Sequence, residues 1–307
     1  MPEQEITQRV FVHRGQPRVR NVYPNWAALL GVGVMFVGCY AVAAAKWMPD
    51  VSNRPVLALV GINFILIGLV VVVRIFKGMR LRARAREARG QQPWRYDYSW
   101  NIHGTDDGSG SSMVKDVMAV GSIGFFLVPF HILVYDDPPG DGGFILYGVL
   151  GLFDLIIFIS LSYVVYKLLR MLIFGRPRVI FQQFPCLTGQ SMNLIFSGGK
   201  RLANCKDLRA ELHCIKEYYE WIDSGEDQSA THVNESIYRD SFHFSTDAAG
   251  MAQLSFPLPK DAVSTDLISD PNANPPKSPH YWELVITFRR PGIDYEGIFL
   301  VPVYRPA

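Results

Sequence analysis

The chain is poor in the residues that announce a reaction. It has four cysteines in 307 residues, and Cys186, Cys205 and Cys214 have no spacing that fits a zinc site. His232, His243 and His280 show no ligand spacing either. There is no phosphate-cradling glycine loop and no nucleophile elbow. His213 stands beside Cys214, but neighbours on a strand point to opposite faces, which weakens a Cys–His pair. The net charge is only +2. With no aromatics interleaved among its cations, nucleic-acid binding is not expected. These absences predict a protein that is not an enzyme and that holds no metal or cofactor.

What is abundant is apolar length. A bilayer-crossing helix needs about 20 mostly apolar residues. Four runs meet this: Trp26 to Trp47, Val56 to Phe76, Val117 to Tyr135 and Phe144 to Leu169. One such run is compatible with a buried soluble helix; four are not. The run of small residues Ala43-Ala44-Ala45 imitates a signal cleavage site. The polar arm in front of the first run is too long for an ordinary signal peptide, so this run is read as uncleaved.

Loop charge orients the spans, because Lys and Arg stay on the cytoplasmic side. The arm carries Arg9, Arg14, Arg18 and Arg20. The loop after the second run carries Lys77, Arg80, Arg82, Arg84, Arg86, Arg89, Arg95 and Lys115. Lys167, Arg170, Arg176 and Arg178 follow the fourth. The loop 136–143 holds Asp136, Asp137 and Asp141 and no cation. Both termini are therefore expected in the cytoplasm of a bacterium, with the protein in its inner membrane. Trp26, Trp47, Tyr135 and Tyr147 lie near the span ends, where amphipathic rings favour the headgroup level.

The basic run Arg80, Arg82, Arg84 and Arg86 has two readings. It is either topogenic charge alone or a helical extension that attracts anionic lipid of the inner leaflet at about 1 kcal/mol per residue. The loop then gathers Trp94, Arg95, Tyr96, Tyr98 and Trp100 in Pro93–Trp100. Aromatics in a loop call for burial, so this segment is expected to dock on the membrane face or on the C-terminal domain, a ligand site being the lesser reading. Gly104–Ser112 is rich in Gly, Ser and Asp and reads as flexible.

Three polar residues sit inside the spans: Asp154, His131 and Asn63. Ionisable groups at bilayer depth are functional candidates. Counted from the outer face, Asp154 lies deeper than His131 by roughly 9 Å, at 1.5 Å per residue, so a direct hydrogen bond needs tilt or a bridging water. They form either an ion-sensitive site or simple glue between helices. Four spans without repeats or broken helices favour glue over a transport path.

From Gly175 the pattern changes to short alternating strands. Leu208, Ala210, Leu212 and Cys214 alternate with Arg209, Glu211 and His213; Ala252, Leu254 and Phe256 form a second row, Trp282, Leu284, Ile286 and Phe288 a third, and Tyr295, Gly297, Phe299, Val301 and Val303 a fourth. Val179–Phe184, Met192–Phe196 and Ile237–Phe244 bring the count to about seven strands in about 130 residues, the density of a β-sandwich. Pro291–Asp294 reads as a hairpin loop, Pro271–Pro279 as an exposed loop, and Lys216–Asp227 as a strand extension or a contact surface. The expected fold is an α+β membrane protein: an arm over 1–25, helices over 26–76, a basic and aromatic loop over 77–116, helices over 117–174 and an antiparallel β-sandwich over 175–307.

Two spans, a basic exit, the Pro-Trp-Arg loop at Pro93–Trp100, two further spans and a terminal β domain together resemble a family of uncharacterised four-pass bacterial membrane proteins. The resemblance runs from about Trp26 to Val303 and implies architecture, not catalytic residues. The terminal rows resemble arrestin-like and immunoglobulin-like sandwiches, which mostly bind proteins. The expected function is therefore an inner-membrane protein, such as an immunity or accessory protein, whose cytoplasmic sandwich binds a protein partner. The alternative is a small transporter or ion-responsive channel using Asp154.

Overall fold

A computed structural model describes residues 10–11, 27–47, 54–87, 92–95, 97–136, 144–223, 228–267 and 278–306. The chain divides into two compact units: residues 23–84 with 111–169, and residues 1–22 with 85–110 and 170–307.

The helices are α1 (Ala27–Trp47), α2 (Arg54–Glu87), α3 (Ser109–Asp136) and α4 (Phe144–Phe174). Each contains a stretch long and apolar enough to cross a membrane. Three of them outrun their apolar runs. α2 continues through Arg80, Arg82, Arg84 and Arg86 to Glu87, because Arg, Ala and Leu are all good helix formers. α3 begins at Ser109, well before Val117. There Asp107 Oδ1 accepts from the Ser109 backbone N–H at 3.0 Å and from its hydroxyl at 2.6 Å, so an Asp side chain opens the helix. α4 runs on to Phe174 and stops at Gly175, whose φ is +78°. The Gly175 N–H closes on the Met171 carbonyl at 2.8 Å, a glycine C-terminal cap.

α1 and α2 meet through glycine. A Cβ at Gly38 would lie 2.5 Å from the Gly61 carbonyl oxygen, and one at Gly68 would lie 2.5 Å from that of Gly31. The pairs 31 with 68 and 38 with 61 run antiparallel, seven residues apart on each helix, so one face of each presents bare backbone every two turns. Close backbone approach of this kind is common where helices long and apolar enough to span a membrane pack together.

α3 and α4 meet differently. Leu127, Val134 and Leu150 form a small buried cluster with Phe126, Phe130, Leu146 and Ile157 against it. Asp116 pairs with Lys167 and His131 with Asp154, an order that makes these helices antiparallel too. The most apolar stretch of α4 is only 6% buried within the chain, against 22% for those of α1 and α2.

The second unit consists of two antiparallel sheets enclosing one core, with a small parallel pair. Its strands are β1 (Val10–Phe11), β2 (Thr105–Asp106), β3 (Arg178–Phe181), β4 (Cys186–Leu187), β5 (Ser191–Ser197), β6 (Leu208–Asp223), β7 (Gln228–Phe244), β8 (Met251–Pro257), β9 (His280–Phe288), β10 (Tyr295–Val301) and β11 (Val303–Tyr304). One sheet has the order β1-β7-β6-β9-β10, the other β2-β3-β5-β8, and β11 pairs with β4. The alternating rows face inward together. Leu208, Ala210, Leu212, Cys214, Trp282, Leu284, Ile286, Tyr295 and Phe299 of the first sheet share a core with Val179, Met192, Leu194, Phe196, Leu254 and Phe256 of the second. Burial of alternate residues from both sheets is what makes a sandwich.

Two elements depart from the sequence reading. Gly104–Ser112 is ordered, not flexible: Thr105 and Asp106 pair with Val179 and Arg178, and α3 starts within the segment. Its glycine marks a close approach. At Gly104, with φ of +145°, a Cβ would lie 2.2 Å from the Val179 carbonyl. The Gly and Asp residues are there for a tight crossing and a helix cap, which composition does not separate from mobility. Second, the arm supplies a strand, Val10–Phe11 pairing with Ser236 and Glu235. Lys216–Asp223 follows the strand-extension reading: β6 continues to Asp223, paired with β7, which begins at Gln228. Pro271, Pro275 and Pro276 lie outside the described residues, as do Arg9, Arg14, Arg18, Arg20, Arg89, Trp26, Asp137 and Asp141.

Candidate functional site

The His131–Asp154 pair is the ionisable centre of the helical unit. Nε2 of His131 and Oδ1 of Asp154 are 3.2 Å apart, a direct contact rather than one bridged by a water. The depth count ignored side-chain direction. Each Cα–Cβ bond leans toward the N-terminus of its own helix, and α3 and α4 run in opposite directions, so these side chains lean toward each other and close the gap. Both remain open, at 43% and 52% side-chain exposure.

Asn63 does not join them. Its side-chain amide donates to the Leu59 carbonyl at 3.1 Å and to the Phe125 carbonyl at 3.5 Å, and it is buried. Phe125 lies six residues before His131 on α3. The three polar residues therefore form two separate contacts, and Asn63 acts as a tie between α2 and α3.

A second charged contact was not singled out from sequence. Lys167 Nζ lies 2.5 Å from Asp116 Oδ2 and donates to the Ser112 hydroxyl at 3.0 Å. It also sits 4.6 Å above the Tyr163 ring. Asp116 and Tyr163 line a shallow cleft of about 350 Å³ between α3 and α4, with Ala119, Val120, Ile159 and Val164 as its apolar walls. One carboxylate amid the cations flanking two apolar runs was the available signal. The glycine seam was legible as well, as seven-residue spacing in both of the first two runs.

The aromatic loop packs on the β unit. Trp94 meets Tyr304 edge to face with centroids 5.5 Å apart. Trp100 joins Ile215, Leu267, Tyr281 and Leu300 in a cluster on the outer face of the first sheet, and Tyr98 packs on Trp100 at 4.7 Å. Trp100 Nε1 donates to Asp97 Oδ1 at 3.2 Å and to the Tyr304 hydroxyl at 3.0 Å. That hydroxyl donates to Asp97 Oδ2. Burial pushes the Asp97 carboxyl from its usual 3.8 up to about 6, against the pull of the Tyr304 and Trp100 hydrogen bonds. Burial, and then the Asp97 charge, also raise the Tyr304 hydroxyl above its usual range. Arg95 and Arg80 are exposed, and Arg82, Arg84 and Arg86 occupy the last turns of α2. Tyr96 lies outside the described residues.

The thiols sit apart from the histidines. Cys186 and Cys214 are buried in the core, and burial pushes both up to about 12, which leaves them protonated and weakly nucleophilic at neutral pH. His213 lies on the opposite face from Cys214. It contacts Glu211 at 3.1 Å through Nε2 and Ser236 at 3.2 Å through Nδ1. The Ser236 hydroxyl donates to the Tyr238 carbonyl, so it is engaged with backbone. Arg239 and Arg209 contact Glu211 at 2.9 and 2.7 Å. Burial opposes the charged form of Glu211, but the two guanidiniums outweigh it and hold the carboxyl below its usual value. His243 pairs with Asp207 at 2.5 Å on the surface. Among the described residues no cluster of three or more His, Cys, Asp or Glu is arranged to hold a metal.

No family model matches the chain, and neither does any curated protein. Among solved structures it is similar to Spo0M, the sporulation control protein of Bacillus subtilis, at 16% identity and a TM-score of 0.26. The match covers 42% of this chain and 49% of that one. The chain thus spans about half the length of that protein, and a likeness of this size carries no argument about function.

Proposed function

We propose that the chain is an integral protein of a bacterial inner membrane, crossing it four times with both termini in the cytoplasm, and that its arrestin-like or immunoglobulin-like sandwich binds a protein partner there without catalysing a reaction. Membrane-resident immunity or accessory proteins are one concrete form of this role, and four-pass bacterial proteins with a Pro-Trp-Arg loop are the kin it resembles. Arg80, Arg82, Arg84 and Arg86 lie against anionic lipid of the inner leaflet.

The observation that supports partner binding best is the ribbon made by β6 and β7. β6 pairs with β9 only from Arg209 to Lys216, whereas its ladder with β7 continues to Asp223 opposite Gln228. Among the described residues, Tyr219–Asp223 of β6 and Gln228–His232 of β7 pair with each other and with no third strand. A two-stranded ribbon is marginal by itself, and a strand edge is a ready template for another strand. The β7 edge already accepts Val10–Phe11 beside Ser236 and Glu235, so strand addition is the mode in which a partner would bind.

Solubilising the full chain in mild detergent and crosslinking before purification tests this. A stoichiometric partner is expected with the wild type and is lost when residues 219–232 are replaced by an Asn-Gly turn. A chain without a partner under every mild condition, or a partner retained after the replacement, contradicts the proposal. The direct His131–Asp154 contact supports a second reading, an ion-responsive channel or small transporter. Cation flux into liposomes that is the same for wild type and Asp154→Asn excludes it.

A further inference from the structure

We infer that the half-exposed His131–Asp154 pair is the contact through which two copies of this chain associate inside the bilayer. The inference rests on the membrane reading above. Asp154 lies ten residues into α4, about 15 Å along the helix, which is near the middle of a hydrocarbon layer about 30 Å thick.

The pair is incompletely covered. Its side chains are 43% and 52% exposed. Among the described residues neither has a second hydrogen-bond partner, so Nδ1 of His131 and Oδ2 of Asp154 make no hydrogen bond there. Ionisable groups at this depth face a protein interior or a water-filled cavity, because facing lipid is costly. Asn63, the one uncharged polar residue in the apolar run of α2, is engaged elsewhere, with the Leu59 and Phe125 carbonyls.

An occupant must bring an acceptor for the imidazole and a donor for the carboxylate, both at this one depth. A second copy related by a two-fold axis along the bilayer normal brings both at the required depth by symmetry. In an isologous contact each patch meets itself. An imidazole N–H at Nδ1 and the carboxyl oxygen Oδ2 are a donor and an acceptor on one patch, so two copies related by the axis can close a ring of four hydrogen-bonded groups.

The neighbouring surface permits close approach. Gly151 lies one turn before Asp154 on α4, and Gly124 lies two turns before His131 on α3. A Cβ at either position would meet nothing within 4 Å. The glycines that join α1 to α2 are packed against carbonyls, whereas these two are open.

The test counts subunits of the full chain in lipid nanodiscs by native mass spectrometry and titrates dimerisation in liposomes. The wild type is expected to be a dimer. Asp154→Ala and His131→Ala each weaken dimerisation by about tenfold or more. The exchange of the two residues, His131→Asp with Asp154→His, restores it, because each patch keeps one donor and one acceptor after the swap. That rescue separates a contact from misfolding, and Gly151→Leu, which leaves the polar pair intact, should also weaken the dimer. A monomeric wild type, single variants that dimerise like wild type, an exchange variant no better than the singles, or a different protein seated at the pair overturns the inference. Extraction of membranes with alkaline carbonate is read alongside. Release of the chain from membranes defeats the proposed function itself, whereas a retained but monomeric chain defeats only this inference.

Discussion

The helical unit and the β unit bury their residues in opposite ways. The β unit encloses Trp282, Tyr295, Phe196, Phe256 and Phe299 almost completely, and residues from both of its sheets share one core. The helical unit leaves Phe36, Phe158, Ile159 and Leu155 more than half exposed, and its α3–α4 core has three buried members. The β unit covers its apolar side chains with one another. The helical unit leaves its own uncovered, as helices long and apolar enough to cross a membrane do. The contrast repeats within the helices, where α1 and α2 join by backbone contact at glycines and α3 and α4 join by charged pairs and a few side chains.

Truncation breaks or sharpens this contrast most strongly. Trp282→Ala should destabilise the β unit by about 3–5 kcal/mol in chemical denaturation of the detergent-solubilised chain. Leu155→Ala on α4 should change it by less than about 0.5 kcal/mol. Equal losses at the two positions would remove the contrast.

Enlarging glycines comes next. Gly38→Leu forces side-chain atoms into the Gly61 backbone, and overpacking of this kind costs about 1–3 kcal/mol. Gly33→Leu, on the same helix with nothing within 4 Å of its Cβ position, should be neutral. Melting temperatures in one detergent distinguish the two.

A smaller effect is confined to the β unit. The Asp97 carboxyl titrates at about 6 when folded, against its usual 3.8, with burial as the first cause. A raised carboxyl stabilises the fold fully below the unfolded value, where both states are protonated. That stability is lost as pH rises through the folded value. From about pH 4 to about pH 7 the β unit should lose on the order of 2 kcal/mol from this group, a loss that Asp97→Asn removes. Denaturation midpoints at several pH values measure it.

The smallest expected effect is at the Lys167–Asp116 pair. A double-mutant cycle with Lys167→Met and Asp116→Asn should give a coupling of about 1 kcal/mol, because both groups are partly open to solvent.

Legibility from sequence follows the physics of each region. The helices and the alternating strands were legible because burial on one face writes a period into the chain, as in Leu208–Cys214 and Trp282–Phe288. Contacts set by backbone geometry were harder. Gly104 and Asp107 read as flexible by composition, yet one permits a close crossing of β3 and the other caps α3. Composition registers what these residues tolerate and not which use the fold makes of it. Of the polar candidates, His131 and Asp154 meet and Asn63 does not. Depth counting set them roughly 9 Å apart because it treats side chains as points on the axis. The Asp97–Tyr304 contact joins residues about two hundred positions apart, and no local pattern in one sequence marks such a pair.

The proposed topology puts the helices in a bilayer and the sandwich on its cytoplasmic side. Single cysteines introduced at Asp141, Leu155 and Lys200 into a chain freed of its own four test it, using a membrane-impermeant maleimide. Asp141→Cys should label in intact cells, Lys200→Cys only in inverted vesicles, and Leu155→Cys in neither, although the chain's own residues leave Leu155 54% exposed. Labelling of Lys200→Cys in intact cells, or of Leu155→Cys from either side, would contradict the account.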